Sequence, residues 1–162
     1  MVLLRELTPA DWPLWRAARL AALTDSPGSF KATLADWPNG GETRWRARLS
    51  DPGCHSVAAL LDGRPVGTAA GLRAPDGGYE LRSVWVAPEA RGRGVAGRLI
   101  TAVETWARRS GARTLRLGVL PGNDPAIALY ARHGFTPSAR PGGLLADGRT
   151  RELLMAKELG GR

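Results

Sequence analysis

A chain of 162 residues, 43% apolar and 23% charged, is long enough to bury a sizeable core as one domain, expected to span 1–162, and has an ordinary globular composition. Its formal charge of +8 rests on arginine, because Lys31 and Lys157 are the only lysines; the arginines are scattered, which fits an arginine-rich composition or a phosphate-bearing ligand better than a nucleic-acid surface. Cys54 is the only cysteine and His55 and His133 the only histidines, so an intrachain disulfide is excluded and no metal is expected.

The N-terminus MVLLRELTPADW has no signal-peptide pattern, and no apolar run approaches the roughly 18 residues of a membrane span. A soluble cytoplasmic protein is therefore expected. Val2 to Leu7 alternates loosely, as a strand does, before Thr8-Pro9 breaks it. From Asp11, taken as an N-cap, Trp12, Trp15, Ala18, Leu20 and Ala22 mark a helix that Asp25-Ser26-Pro27-Gly28 ends. Pro38-Asn39-Gly40-Gly41 is a turn, and Glu42 to Leu49 a short helix with Trp45 and Leu49 inward. Residues 11–50 thus form a helical segment ahead of a sheet. Core packing is the simpler role for its tryptophans, lining a substrate mouth the alternative.

Ser56 to Leu61 and Pro65 to Leu72 are strands joined at the hairpin signal Asp62-Gly63. After the turn Pro75-Asp76-Gly77-Gly78, Tyr79 to Val86 forms the third strand of an antiparallel meander. Within it Leu81, Val84 and Val86 are spaced three and then two, which places an extra residue, a bulge, near Arg82-Ser83. Val95 to Arg109 carries the apolar stripe of a helix, with Gly111 just past its end. Thr114 to Leu120 is a strand joined to the preceding one through that helix, hence parallel to it. Asp124 as cap and Pro125 at the first position open a helix reaching Arg132 or His133. A strand from Phe135, a loop from Pro137 to Gly148 and a last strand from Thr150 to Lys157 complete the chain. The fold class is α+β: a mixed, mostly antiparallel sheet of about seven strands with helices on both faces.

Between the third strand and the next helix lies Ala87-Pro88-Glu89-Ala90-Arg91-Gly92-Arg93-Gly94. A glycine-rich turn opening into a helix aims backbone N–H groups and a positive helix end at one point, which suits a phosphate. Gly92, Gly94 and Gly97 match the dinucleotide spacing GxGxxG, but five residues separate the strand from its first glycine. Val119-Leu120-Pro121-Gly122 also lacks the acidic residue that would bind a ribose, and a meander precedes the turn where a βαβ unit should stand. A dinucleotide site is disfavoured; a purely structural turn is the bland alternative.

Val86-x-Pro88 followed by Arg91-Gly92-Arg93-Gly94-Val95-Ala96 resembles the acyl-CoA signature of the GNAT superfamily of N-acetyltransferases. Asn123 through Tyr130 to Gly134-Phe135 resembles a second element of that family. The resemblance implies an acyl-CoA gap between two splayed parallel strands, here Tyr79–Val86 and Thr114–Leu120. It implies backbone contacts to acetyl-CoA around Val84, Trp85 and Val86, pyrophosphate binding by Arg91, Gly92, Arg93, Gly94, Val95 and Ala96, and Asn123 near the cofactor arm. Tyr130 would be the general acid and also touch the cofactor, and Glu80 the base. Carboxylates titrate near about 4.3, so Glu80 would work through water, and a substrate-orienting role is its alternative. Residues 79–135 would form the catalytic core. Residues 11–50 and the 137–150 loop would face the acceptor amine, with Trp37, Trp45 and Arg140 as candidates. The expected partners are acetyl-CoA and an amine of a small molecule or peptide, with no nucleic acid or membrane; a homodimer is compatible. Alternatives are a protein N-terminal or lysine acetyltransferase, or a non-catalytic acyl-CoA sensor. Cys54-His55 as a nucleophilic dyad is disfavoured, since chain neighbours rarely present a working pair.

Overall fold

A computed structural model describes residues 1–25 and 42–160. Trp37 and the turn at 38–41 lie outside the described residues. The elements in order are β1 (Val2–Glu6), α1 (Trp12–Asp25), α2 (Glu42–Ser50), β2 (Cys54–Leu61), β3 (Arg64–Arg73), β4 (Tyr79–Val86), α3 (Val95–Arg109), β5 (Thr114–Val119), α4 (Asp124–Arg132), β6 (Thr136–Pro137) and β7 (Leu153–Glu158). The strands form one seven-stranded sheet in the order β1-β2-β3-β4-β5-β7-β6. All neighbouring pairs are antiparallel except β4 with β5, which the intervening helix α3 makes parallel. The α+β expectation holds in strand count, pairing and direction.

Alternation along the strands divides the core between the two faces. Ala58 and Ala70 pack with Trp15 and Trp45 of α1 and α2. Their chain neighbours Val57 and Ala69 join Leu99, Ile100 and Val103 of α3 on the other side. Trp15 and Trp45 are almost fully buried; Trp45 is a core residue, and Trp15 packs in the same cluster while also bordering the cavity described below.

The bulge lies where the apolar spacing places it. Ser83 sits at φ +58°, a left-handed conformation unusual for a residue with a side chain, and the β3–β4 register shifts between Thr68 and Ala70. Thr68 Oγ1 donates to the Ser83 carbonyl at 2.7 Å and fixes the kink. The consequence for the site is direct. β4 pairs with β5 only at Tyr79↔Leu115 and Glu80↔Arg116, then bends away, and the two parallel strands splay from Leu81 onward.

Several boundaries differ from expectation by a residue or more, and three of these have a visible cause. Asp11 does not cap α1: it ends a 3-10 turn, Pro9–Asp11, and its carboxylate accepts from the Thr8 N–H at 2.8 Å and Thr8 Oγ1 at 3.1 Å while pairing with Arg5. At α4 the cap is Asn123, whose Oδ1 accepts from the Ala126 N–H at 3.4 Å, so Asp124 is already the first helical residue. The last strand starts at Leu153, because Asp147 holds Arg149 and Thr150 in a turn through its carboxylate.

Candidate active site

The splay of β4 from β5 opens a cavity of about 990 Å³, at the upper end of the roughly 300–1,000 Å³ usual for small-molecule sites. Its walls run from the β4–α3 turn, along the diverging strands, past α4, to α1 and α2. Of the expected site residues, Glu80, Val84, Trp85, Val86, Arg91, Gly92, Gly94, Val95, Ala96, Asn123 and Tyr130 all line it. Arg93 is exposed and outside the lining. Of the proposed acceptor-side residues, Trp45 is sealed in the core and Arg140 is exposed away from the cavity. Trp15, Arg19 and Arg48 stand there instead, and from the 137–150 loop only Gly143 contributes.

The geometry of the β4–α3 turn is built by glycines. Gly92 and Gly94 sit at φ +77° and +76°, and a Cβ added to either would meet no atom within 4 Å. Gly94 is the N-cap of α3 and no side chain caps that end. The first N–H groups of the helix, with its positive dipole end, are left to an anion. Around this turn the side chains form a clamp. Asp25, the last residue of α1, accepts from Arg91 at 2.6 Å and from Trp85 Nε1 at 3.0 Å, while Arg91 Nε donates to the Val86 carbonyl at 2.9 Å. A carboxylate at a helix C-terminus opposes the dipole; here the Arg91 and Trp85 donors hold it. Asp25→Ala would leave the buried Trp85 N–H unpaired, so we expect a loss of about 1–3 kcal/mol, read as a lower denaturant midpoint. The same change should weaken acetyl-CoA binding, measured by calorimetry, because the turn loses its tie to α1.

Tyr130 is half-exposed by area because it faces the cavity, yet its surroundings desolvate it enough to push its pKa up to about 12. Its ring meets Phe135 edge-on at a centroid distance of 6.0 Å, which joins α4 to the strand beyond it. On β4, Arg82 lies opposite Ala70 and Glu80 opposite Leu72, so both project from the α1/α2 face. The two are ion-paired at 3.2 Å. Arg19, 8% exposed, has its pKa lowered to about 10 by burial and by the charge of Arg48. Asn123, expected near the cofactor arm, is engaged as the cap of α4.

The Cys54-His55 pair has no dyad character. Burial pushes the Cys54 thiol up, away from thiolate, and His55 stacks on Trp106 at 5.5 Å with the rings 6° from parallel. Among the described residues no group of three or more His, Cys, Asp or Glu is placed to hold a metal, and no helix is long and apolar enough to cross a membrane.

Residues 12–135 match the model of the acetyltransferase (GNAT) family. The chain belongs to the GNAT family of N-acetyltransferases. A curated, uncharacterized N-acetyltransferase of Mycobacterium tuberculosis is 30% identical over 155 residues, covering 94% of this chain and 99% of that protein. YncA of Salmonella typhimurium, solved with acetyl-CoA, superposes with a TM-score of 0.77 at 22% identity over 100% of this chain and 96% of its own. PaiA N-acetyltransferase of Thermoplasma acidophilum, solved with coenzyme A, gives 0.75 at 17% identity over 98% and 99%. At such identities these two structures speak for the GNAT fold, and the activity class rests on the family match.

Proposed function

We propose that this GNAT enzyme moves the acetyl group of acetyl-CoA to a primary amine by direct attack, inside the gap between β4 and β5. One observation carries the reading: a single cavity joins the uncapped, glycine-built turn at α3 to Tyr130 and to the polar α1/α2 face. The turn at Gly92 and Gly94 would take the pyrophosphate, and the backbone of Val84 to Val86, freed from β5 by the splay, would hold the pantetheine arm. A backbone N–H near Val86 would stabilise the charge that develops on the carbonyl oxygen.

The amine nitrogen bonds to the carbonyl carbon, the C–S bond breaks, and two protons must move. An α-amine near pKa 8 costs only about 1.4 kcal/mol to deprotonate at pH 7, a lysine-like amine near 10.4 about 4.6. Glu80 would relay that proton through water. Tyr130 would donate its hydroxyl hydrogen to the departing sulfur. A phenol near 12 facing a thiol near 8.5 makes complete transfer uphill by about 5 kcal/mol. Tyr130 therefore works as a hydrogen-bond donor that gives up its proton only as the proton lost from the attacking nitrogen replaces it. An ordinary phenol, at about 10, would face the thiol with a smaller mismatch, and burial is what widens it here.

Thiol release from acetyl-CoA across an amine panel tests the proposal. Glu80→Gln is expected to lower kcat/KM for the amine by about 10²-fold, with a smaller loss at high pH where the amine is already neutral. Acetyl-CoA binding without thiol release from any amine would mark a sensor instead of an enzyme.

A further inference from the structure

The acceptor end of the cavity is built from cations. Arg19 of α1, Arg48 of α2 and Arg82 of β4 all line it. Among the described residues two lining carboxylates stand against them: Glu80, which Arg82 already engages at 3.2 Å, and Glu152, which stands over Gly118 on the β5 side. Asp51, the other carboxylate close to Arg48 and Cys54, accepts from the Gly53 N–H at 2.8 Å and from the Cys54 thiol. Arg48 has neither a carboxylate partner nor a hydrogen-bond acceptor for its buried Nε among the described residues. The half-buried Arg48, its Nε without an acceptor among the described residues, stands close enough to the buried Arg19 for the two charges to repel, and an anion arriving at this end of the cavity would offset that repulsion. The phosphate-binding turn does not need them, since it lies at the α3 end and Arg91, beside it, is tied to Asp25.

Resting on the acetyl-transfer reading, we infer that the acceptor is a small primary amine carrying an oxyanion, a carboxylate or a phosphate, which Arg48 and Arg19 seat on the α1/α2 face of β4. The planar guanidinium fork matches either oxyanion with two parallel hydrogen bonds. An anion held there leaves the amine at the other end of a small molecule to reach Glu80 and the β4–β5 gap. Cationic acceptors, such as polyamines and lysine-rich peptide segments, would meet the like charges of Arg48 and Arg19, Arg82 being engaged by Glu80, and be disfavoured.

Matched acceptor pairs test this: an amino acid against its carboxamide, and phosphoethanolamine against ethanolamine. The carboxamide has the less basic amine and is the more neutral at pH 7, so amine basicity alone would favour it. The expected result is that the anionic member of at least one pair wins by 10-fold or more in kcat/KM, and the winning pair tells carboxylate from phosphate. Arg48→Gln should bring that ratio to near 1 while acetyl-CoA affinity, measured by calorimetry, stays the same and shows the variant to be folded. Arg48→Lys should recover part of the preference. Equal use of both members, preference for the neutral ones, or a ratio untouched by Arg48→Gln would overturn the inference and leave acetyl transfer standing. If no amine releases thiol, acetyl transfer fails, and calorimetry of the same pairs on the CoA-loaded protein decides the anion seat: Arg48-dependent binding of the anionic members supports it, and none overturns it.

Discussion

Tyr130→Phe is expected to lower kcat by about 10²–10⁴-fold and to leave the acetyl-CoA dissociation constant within a few-fold. The substitution removes one oxygen and keeps the ring. The edge-on contact with Phe135 survives, and α4 keeps its place over the cavity. What disappears is the hydroxyl that the proposed mechanism uses to donate a hydrogen bond to the departing sulfur. Burial alone raises the Tyr130 pKa to about 12. The neutral, donating form then persists through the whole working range, and ionisation of Tyr130 adds no alkaline limb below about pH 11. The pH profile of kcat/KM should therefore rise with pH as the acceptor amine loses its proton, then level off instead of turning down. An unchanged kcat in Tyr130→Phe, or an alkaline fall near pH 10 that the variant abolishes, would contradict this account. In the second case the tyrosine would have an ordinary pKa in the working complex.

The parts of this molecule governed by local rules were legible from the chain. The spacing of Leu81, Val84 and Val86 revealed the bulge, because side chains alternate strictly and an inserted residue breaks the count. Gly92 and Gly94 stood out because a left-handed backbone at a helix start leaves few other residues to use. What escaped depends on partners far away in sequence. Asp25 read as the end of a helix, yet its carboxylate serves Arg91, 66 residues on. Arg19 and Arg48 sit where surface arginines are common on amphipathic helices, and nothing in α1 or α2 alone says that both turn toward β4. Arg140 and Trp45 looked equally suited to the acceptor side, and only packing separates them: one points to solvent and the other is sealed beneath α1. The single-residue shift from Asp124 to Asn123 at the α4 cap is the ordinary ambiguity of two adjacent capping residues.

Gly94→Trp is expected to abolish acetyl-CoA binding, and the argument depends on separating two effects of one substitution. Gly94 sits at φ +76°, where a side chain costs about 1–2 kcal/mol, so the variant should be less stable whatever it binds. The indole would also occupy the open space over the uncapped end of α3, where the proposal places the pyrophosphate. Acetyl-CoA at 100 times its dissociation constant should stabilise the unaltered protein by about 2.7 kcal/mol. For a chain of this size that is a rise in Tm of roughly 5–10 °C. Gly63→Trp supplies the control. Gly63 lies in the β2–β3 hairpin at the same φ of +76° with nothing within 4 Å of an added Cβ, and it does not line the cavity. Both variants should melt lower than the parent without ligand, and only Gly94→Trp should lose the ligand-induced rise. Retention of that rise in Gly94→Trp would place the pyrophosphate elsewhere and remove the α3 turn from the site. Loss of it in both variants would show that backbone strain, and not occupation of the cradle, had been measured.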